Sequence, residues 1–317
     1  ARAMSQLVRT PLIRLGKLSP KSGATIYCKW EGAQMTGSMK DRMAWSMIEH
    51  ALESGELRPG GRVVELTGGS TGSSLAMVCA IKGLSAHFVT SDAFAKEKLD
   101  TMKAFGATLD VLESGPEKKI TAEYFQRGKK RVQELLSDPH TFCTDQFNNP
   151  FNRAGYYGLG DEIVEDLPRV DMFIHGVGTG GSITGIAEIL KNSYGHSNVQ
   201  CVGVEPAKSR ALSGAPLEDC EGHLLEGMGA GFVPGLFDTN LVDDVAPATD
   251  EDAEFWAREL ARVEGVFSGY STGASFSVAL EMASNMKPEE NVVIIGCDSG
   301  LKYLGGNLYK IKNQDGS

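Results

Sequence analysis

Lys40 is the residue of this chain best placed for covalent chemistry. It follows Gln34-Met35-Thr36-Gly37-Ser38-Met39 and precedes Asp41-Arg42, after which Met43, Ala44, Met47, Ile48, Ala51 and Leu52 recur at helical spacing. The pattern predicts a helix whose first turn carries Lys40 behind a tight Gly-Ser turn. Cations are disfavoured at the positive end of a helix dipole. An amine held there and partly desolvated is suited to a Schiff base with an aldehyde cofactor. The same stretch also reads as a surface lysine paired with Asp41 or Glu49.

Three glycine-hydroxyl loops elsewhere in the chain favour the chemical reading. Thr67-Gly68-Gly69-Ser70-Thr71-Gly72 follows Val63 to Leu66, and Gly176-Val177-Gly178-Thr179-Gly180-Gly181-Ser182 follows Met172 to Ile174. Gly269-Tyr270-Ser271-Thr272-Gly273 follows Val266-Phe267. Each reads as strand, loop, helix. Glycines let the backbone approach an anion, helix N-terminal N–H groups point at it, and serine or threonine hydroxyls add donors. One such loop is a weak signal; a reactive lysine together with three is a strong one.

These elements, in this order, make the chain resemble the fold type II pyridoxal-phosphate enzymes, and among them the cysteine synthase and cystathionine β-synthase family. The resemblance runs from Thr10-Pro11-Leu12-Ile13-Arg14-Leu15 and the Lys40 segment through Gln146-Phe147-Asn148-Asn149-Pro150 and Gly203-Val204-Glu205-Pro206. It continues through Gly227-Met228-Gly229-Ala230-Gly231-Phe232-Val233-Pro234 to Ser271-Thr272-Gly273-Ala274 and Asp298-Ser299-Gly300.

The resemblance implies pyridoxal 5′-phosphate as cofactor and a role for each motif. Lys40 would bind the cofactor aldehyde and later move the substrate's α proton. Gly178, Thr179, Gly180, Gly181 and Ser182, with Thr184 nearby, would cup its phosphate. Ser271 would hydrogen-bond the ring nitrogen, leaving that nitrogen largely unprotonated, which suits loss of a β leaving group more than transamination. Thr67, Gly68, Gly69, Thr71 and Gln146 would grip the carboxylate of a small amino-acid substrate. Asp298 and Ser299 would lie near the cofactor or form a cap. The expected activity is β-replacement or β-elimination on an O-activated serine or a cysteine-like amino acid.

The carboxylate loop departs from the family pattern. Gly68 stands where serine is expected, and Ser70 where an asparagine normally touches cofactor and substrate. The expectation is a wider, less donating loop with an altered substrate preference. Gln34-Met35 in place of the family's Asn-Pro is a further departure.

A chain of 317 residues with 41% hydrophobic and 23% charged residues can bury a sizeable core in about two domains. A formal net charge of −10 argues against nucleic acid and anionic membrane surfaces as partners. No apolar run approaches ~18 residues, and the first residues lack the apolar core of a signal peptide; a cytoplasmic protein is expected. Cys28, Cys79, Cys143, Cys201, Cys220 and Cys297 show no C-x-x-C spacing, so neither a disulfide framework nor a metal site is expected. His175, at the end of an apolar run, reads as a packed or hydrogen-bonded side chain.

Short apolar runs at Thr25 to Cys28, Val63 to Leu66, Ala86 to Thr90, Thr108 to Leu112, Met172 to Ile174, Val199 to Val204 and Val292 to Ile295 alternate with helical stretches. That alternation predicts an α/β protein with parallel sheet covered by helices on both faces. The resemblance implies two open, twisted, mostly parallel sheets in the manner of the tryptophan synthase β chain. It further implies a smaller mobile subdomain at 45–145 that closes over substrate, a larger cofactor-binding domain made of 1–44 and 146–317, and a homodimer. Neither the haem segment nor the regulatory module of some cystathionine β-synthases is recognisable, so the short cysteine-synthase architecture is expected.

Three other readings remain. A cysteine or serine lyase, desulfhydrase or dehydratase, would use the same residues. An NAD-dependent oxidoreductase would use Gly176-x-Gly178-x-x-Gly181 as a dinucleotide loop and Glu205 on the ribose, leaving Lys40 and Gln146 without a role. A relative that has lost catalysis would be consistent with Ser70, and inconsistent with keeping Lys40, Ser271 and Gln146.

Overall fold

The computed structural model of the chain describes residues 7–114, 122–193, 198–216, 220 and 222–310. In chain order its elements are β1 (Leu12–Arg14), β2 (Thr25–Trp30), α1 (Lys40–Ser54), β3 (Arg62–Leu66), α2 (Ser70–Lys82), β4 (Ser85–Ser91), α3 (Lys96–Ala104), β5 (Thr108–Leu112), α4 (Ala122–Leu135) and β6 (Thr141–Cys143). There follow α5 (Pro150–Ala154), α6 (Tyr157–Asp166), β7 (Met172–Gly176), α7 (Gly181–Asn192), β8 (Gln200–Pro206), β9 (Asp244–Ala248), α8 (Asp250–Glu259), α9 (Tyr270–Ser284) and β10 (Asn291–Gly296).

The strands form two sheets, as expected. One has six strands in the order β1-β2-β10-β7-β8-β9 and the other four in the order β5-β4-β3-β6. Every described pairing is parallel except that of β1 with β2. Consecutive side chains of a strand point to opposite faces, and both faces here are covered. Along β10, Val293 and Ile295 enter one apolar core with Met43, Leu75 and Ile183, while Val292 and Ile294 enter a second with Phe276 and Leu260. In the smaller sheet Val63 and Phe88 face the first core, whereas Val64 and Val89 pack against Val132 and Leu135 of α4. This two-sided burial is why the strands read as continuous apolar runs.

All seven expected strands are present, most of them a residue or two longer than their apolar run. Three strands had no such signal. β1 and β6 have three residues each, too few for a pattern, and β9 is an edge strand carrying Pro247, as edges permit. Val266-Phe267 is not a strand. The chain leaves α8 through a π-turn at Leu260–Glu264, reverses at left-handed Gly265 (φ 73°) and enters α9 at Tyr270, leaving room only for an isolated bridge from Ser268 to Ser299. Among the described residues no helix is long and apolar enough to cross a membrane.

Candidate active site

Lys40 is the first residue of α1, and its loop is stitched to the chain leaving β10. Met39 N–H donates to the Cys297 carbonyl at 2.9 Å and Ser299 N–H to the Gly37 carbonyl at 2.9 Å, with Ser38 and Asp298 bridged between them. Gly37 has φ +68°, a conformation only glycine adopts at little cost. The carboxylates that a surface lysine would need are engaged elsewhere. Asp41 accepts from Thr36 N–H at 2.8 Å and Ser74 Oγ at 2.6 Å, and Glu49 from Trp45 Nε1 at 2.6 Å and Lys82 at 2.9 Å. Among the described residues none forms an ion pair with Lys40. Burial lowers the Lys40 pKa, against the pull of Cys297 and Asp298, which favours the neutral amine that nucleophilic work requires.

Ser271 is the second residue of α9 and is buried. Its hydroxyl hydrogen-bonds the thiol of Cys297, which burial pushes up to about 11 while Lys40 acts to lower it. Cys297 N–H donates to Thr272 Oγ1 at 3.1 Å. Cys297 thus joins the residue before Lys40 to the residue after Ser271, a placement that its scattered spacing in sequence does not disclose.

The loop after β7 forms a cradle. A Cβ on Gly178 would overlap the Gly227 carbonyl oxygen, and one on Gly181 would overlap Asn152 Oδ1. Gly180 has φ +82°, and a Cβ there would lie 2.7 Å from Phe237 N. What remains are backbone N–H groups at the start of α7 and the hydroxyls of Thr179 and Ser182, a donor set that fits a phosphate. Thr179 Oγ1 accepts from Asn152 Nδ2 at 3.1 Å, leaving its own proton free to be donated. Ser182 Oγ lies 2.9 Å from His175 Nε2. Burial, and then Lys40, holds the His175 pKa down at about 3. Thr184 Oγ1 accepts from Asp238 N–H at 3.2 Å.

The loop after β3 closes the other side. Thr67 and Gly68 are buried and Gly69 caps α2. Thr71 Oγ1 donates to Gln146 Oε1 at 3.0 Å, and Gln146 Nε2 to the Leu66 carbonyl at 3.2 Å. Glu65 orders this corner by accepting from Thr144 Oγ1 at 2.6 Å and Gln146 N–H at 3.1 Å. Asn152 then joins the two loops, since its Nδ2 also donates to the Gln146 carbonyl at 2.6 Å. Thr71, Gln146, Asn152 and Thr179 thus form one hydrogen-bonded chain from the loop after β3 to the cradle.

One feature of the loop after β3 differs from the sequence reading. The loop at Gly68 is not wider, because the Phe94 ring occupies the volume into which a Cβ would project. Ser70 Oγ lies 3.4 Å from Asp298 Oδ2 and 3.4 Å from Lys302 Nζ. Asp298 Oδ2 also accepts from Tyr303 OH at 2.9 Å, and Ser299 caps the short turn Gly300–Tyr303. Glu205, the acid that a dinucleotide site would need, is buried and accepts from Leu212 N–H at 2.9 Å and from Ser213 Oγ, so it orders a turn. Sequence reasoning missed Glu65, Phe94, Asn152 and Lys302, because the partners that give them a role come from other segments of the chain.

The profile of the pyridoxal-phosphate-dependent enzymes matches residues 4–298. A cysteine synthase of Staphylococcus aureus (strain Mu50) is 35% identical over 95% of this chain and 94% of its own length. The crystal structure of an O-ureido-L-serine synthase superposes with TM-score 0.88 at 30% identity, covering 98% of this chain and 95% of its own. That of a hydrogen sulfide-producing enzyme from Fusobacterium nucleatum gives 0.86 at 34% identity, covering 96% and 99%. The chain belongs to the fold type II pyridoxal-phosphate-dependent enzymes, in the cysteine synthase and cystathionine β-synthase family, and is an enzyme that uses pyridoxal 5′-phosphate.

Proposed function

We propose that the chain catalyses β-replacement on an O-activated serine such as O-acetylserine, with β-elimination as the same chemistry stopped half-way. The observation that carries this is Lys40 at the start of α1, its amine biased to neutrality by burial and in no ion pair with a described carboxylate, with Ser271 rather than an acid at the start of α9.

Each residue has a role in this reading. Gly178, Thr179, Gly180, Gly181 and Ser182 hold the cofactor phosphate, and Ser271 hydrogen-bonds its ring nitrogen without protonating it. Bound there, pyridoxal 5′-phosphate supplies an electron-withdrawing ring conjugated with the substrate's amino group. Thr67, Gly68, Gly69 and Thr71 donate to the substrate carboxylate, and Gln146 shares it. Ser70 borders the cofactor ring. Lys40 takes the proton from Cα as the bond from Cβ to the leaving group breaks. In replacement a nucleophile then adds to Cβ and Lys40 returns the proton to Cα.

Residues 45–145 would act as the closing subdomain over a larger body of 1–44 and 146–317. Lys98 on α3 supports this by pairing with Glu226 and lying 4.7 Å over the Tyr303 ring, contacts that join the smaller segment to the larger. A cytoplasmic homodimer completes the reading; sedimentation as a monomer at working concentration would exclude the dimer.

The deciding experiment gives the holoenzyme O-acetylserine, O-phosphoserine, serine and cysteine, each with and without sulfide or homocysteine. Amino-acid product only when a nucleophile is present means replacement; pyruvate and ammonia without one mean elimination. Turnover of none of the four would refute the proposal.

A further inference from the structure

We propose that His175 is a positioning residue of the cofactor site, donating its Nε2–H to Ser182 Oγ so that the Ser182 hydroxyl proton is committed to the cofactor phosphate. The inference rests on reading Gly178–Ser182 as the phosphate cradle. His175 ends β7 and is 2% exposed. A neutral imidazole has one N–H, on either nitrogen. Nδ1 has no partner among the described residues, whereas Nε2 lies 2.9 Å from Ser182 Oγ. A buried donor without an acceptor is costly, so the proton belongs on the nitrogen that has one.

The consequence falls on Ser182. A serine hydroxyl offers one proton and two lone pairs. When it accepts from His175, that proton remains available to an anion at the start of α7. With the opposite tautomer Ser182 would spend its proton on Nε2 and present only lone pairs to the phosphate. Burial also keeps the imidazole neutral, so this orienting group adds no positive charge beside Lys40.

The test uses the full-length protein, stripped of cofactor and reloaded with pyridoxal 5′-phosphate or with pyridoxal, which lacks the phosphate. Wild type should favour the phosphorylated form. His175→Leu should weaken pyridoxal 5′-phosphate on the order of tenfold and leave pyridoxal within about twofold, while His175→Gln, which keeps a side-chain N–H donor, should restore most of the loss. In the ¹⁵N-labelled wild-type holoenzyme, NMR should show His175 protonated at Nε2 and bare at Nδ1, a reading that needs no variant to fold. The reverse tautomer, an equal loss for both ligands, or no loss for either overturns the proposal. A wild type that does not distinguish the two ligands overturns the phosphate-cradle reading, and this inference with it.

Discussion

The Phe94 ring fills the space that a side chain on Gly68 would enter: a Cβ built there would overlap Cδ2, Cε2 and Cγ of the ring. Phe94 is itself held edge-on by Tyr124, with ring centroids 6.0 Å apart. The glycine at this position and the aromatic after β4 are therefore one packing unit. Gly68→Ser, which would install the residue common in the family, should destabilise the protein by about 1–3 kcal/mol through overpacking. Adding Phe94→Ala should recover most of that loss. Denaturant unfolding of the two single variants and the double variant measures the coupling, and strict additivity would show that the ring yields easily.

Lys40→Ala should remove turnover by at least about a thousandfold and abolish borohydride-trapped attachment of the cofactor. Peptide mapping of the reduced protein checks the second point. Cofactor trapped on another lysine of the variant would reassign the nucleophile.

Ser271→Ala should be mild and Ser271→Asp severe. The alanine loses one hydrogen bond to a neutral acceptor, worth about 0.5–1.5 kcal/mol net. The aspartate sets a carboxylate where the proposed ring nitrogen must stay unprotonated, and crowds the Cys297 thiol that Ser271 now contacts. Steady-state rates and the absorption spectrum of the bound cofactor distinguish the two variants, and an aspartate variant running at the native rate would contradict the electronic argument.

Glu65 should make stability fall as pH rises from about 4.5 to 7. Burial raises its pKa from 4.5 to about 7, against the opposing hydrogen bonds from Thr144, Gln146 and Leu66. Between those values the folded protein keeps a proton that the unfolded chain releases, so folding binds protons and loses stability with increasing pH, by up to about 3 kcal/mol. Glu65→Gln should flatten that slope. Unfolding free energies at pH 5 and pH 7 test it, and equal slopes in wild type and variant would place the Glu65 proton elsewhere.

The sequence alone determined the elements whose information is local. Seven strands were legible because parallel strands buried on both faces are continuous apolar runs, as Val292 to Ile295 shows. The helix starts that carry Lys40, Gly181-Ser182 and Ser271 were legible because a glycine-hydroxyl turn opening a helix is a contiguous pattern. Only the tertiary structure decided what depends on contact between segments distant in the chain. Phe94 reaches Gly68, Lys302 reaches Ser70 across 232 positions, Asn152 joins Gln146 to Thr179, and Cys297 joins Met39 to Thr272. In each case one partner looks ordinary in its own neighbourhood, because a parallel sheet brings together strand ends whose separation in sequence carries no periodic signal.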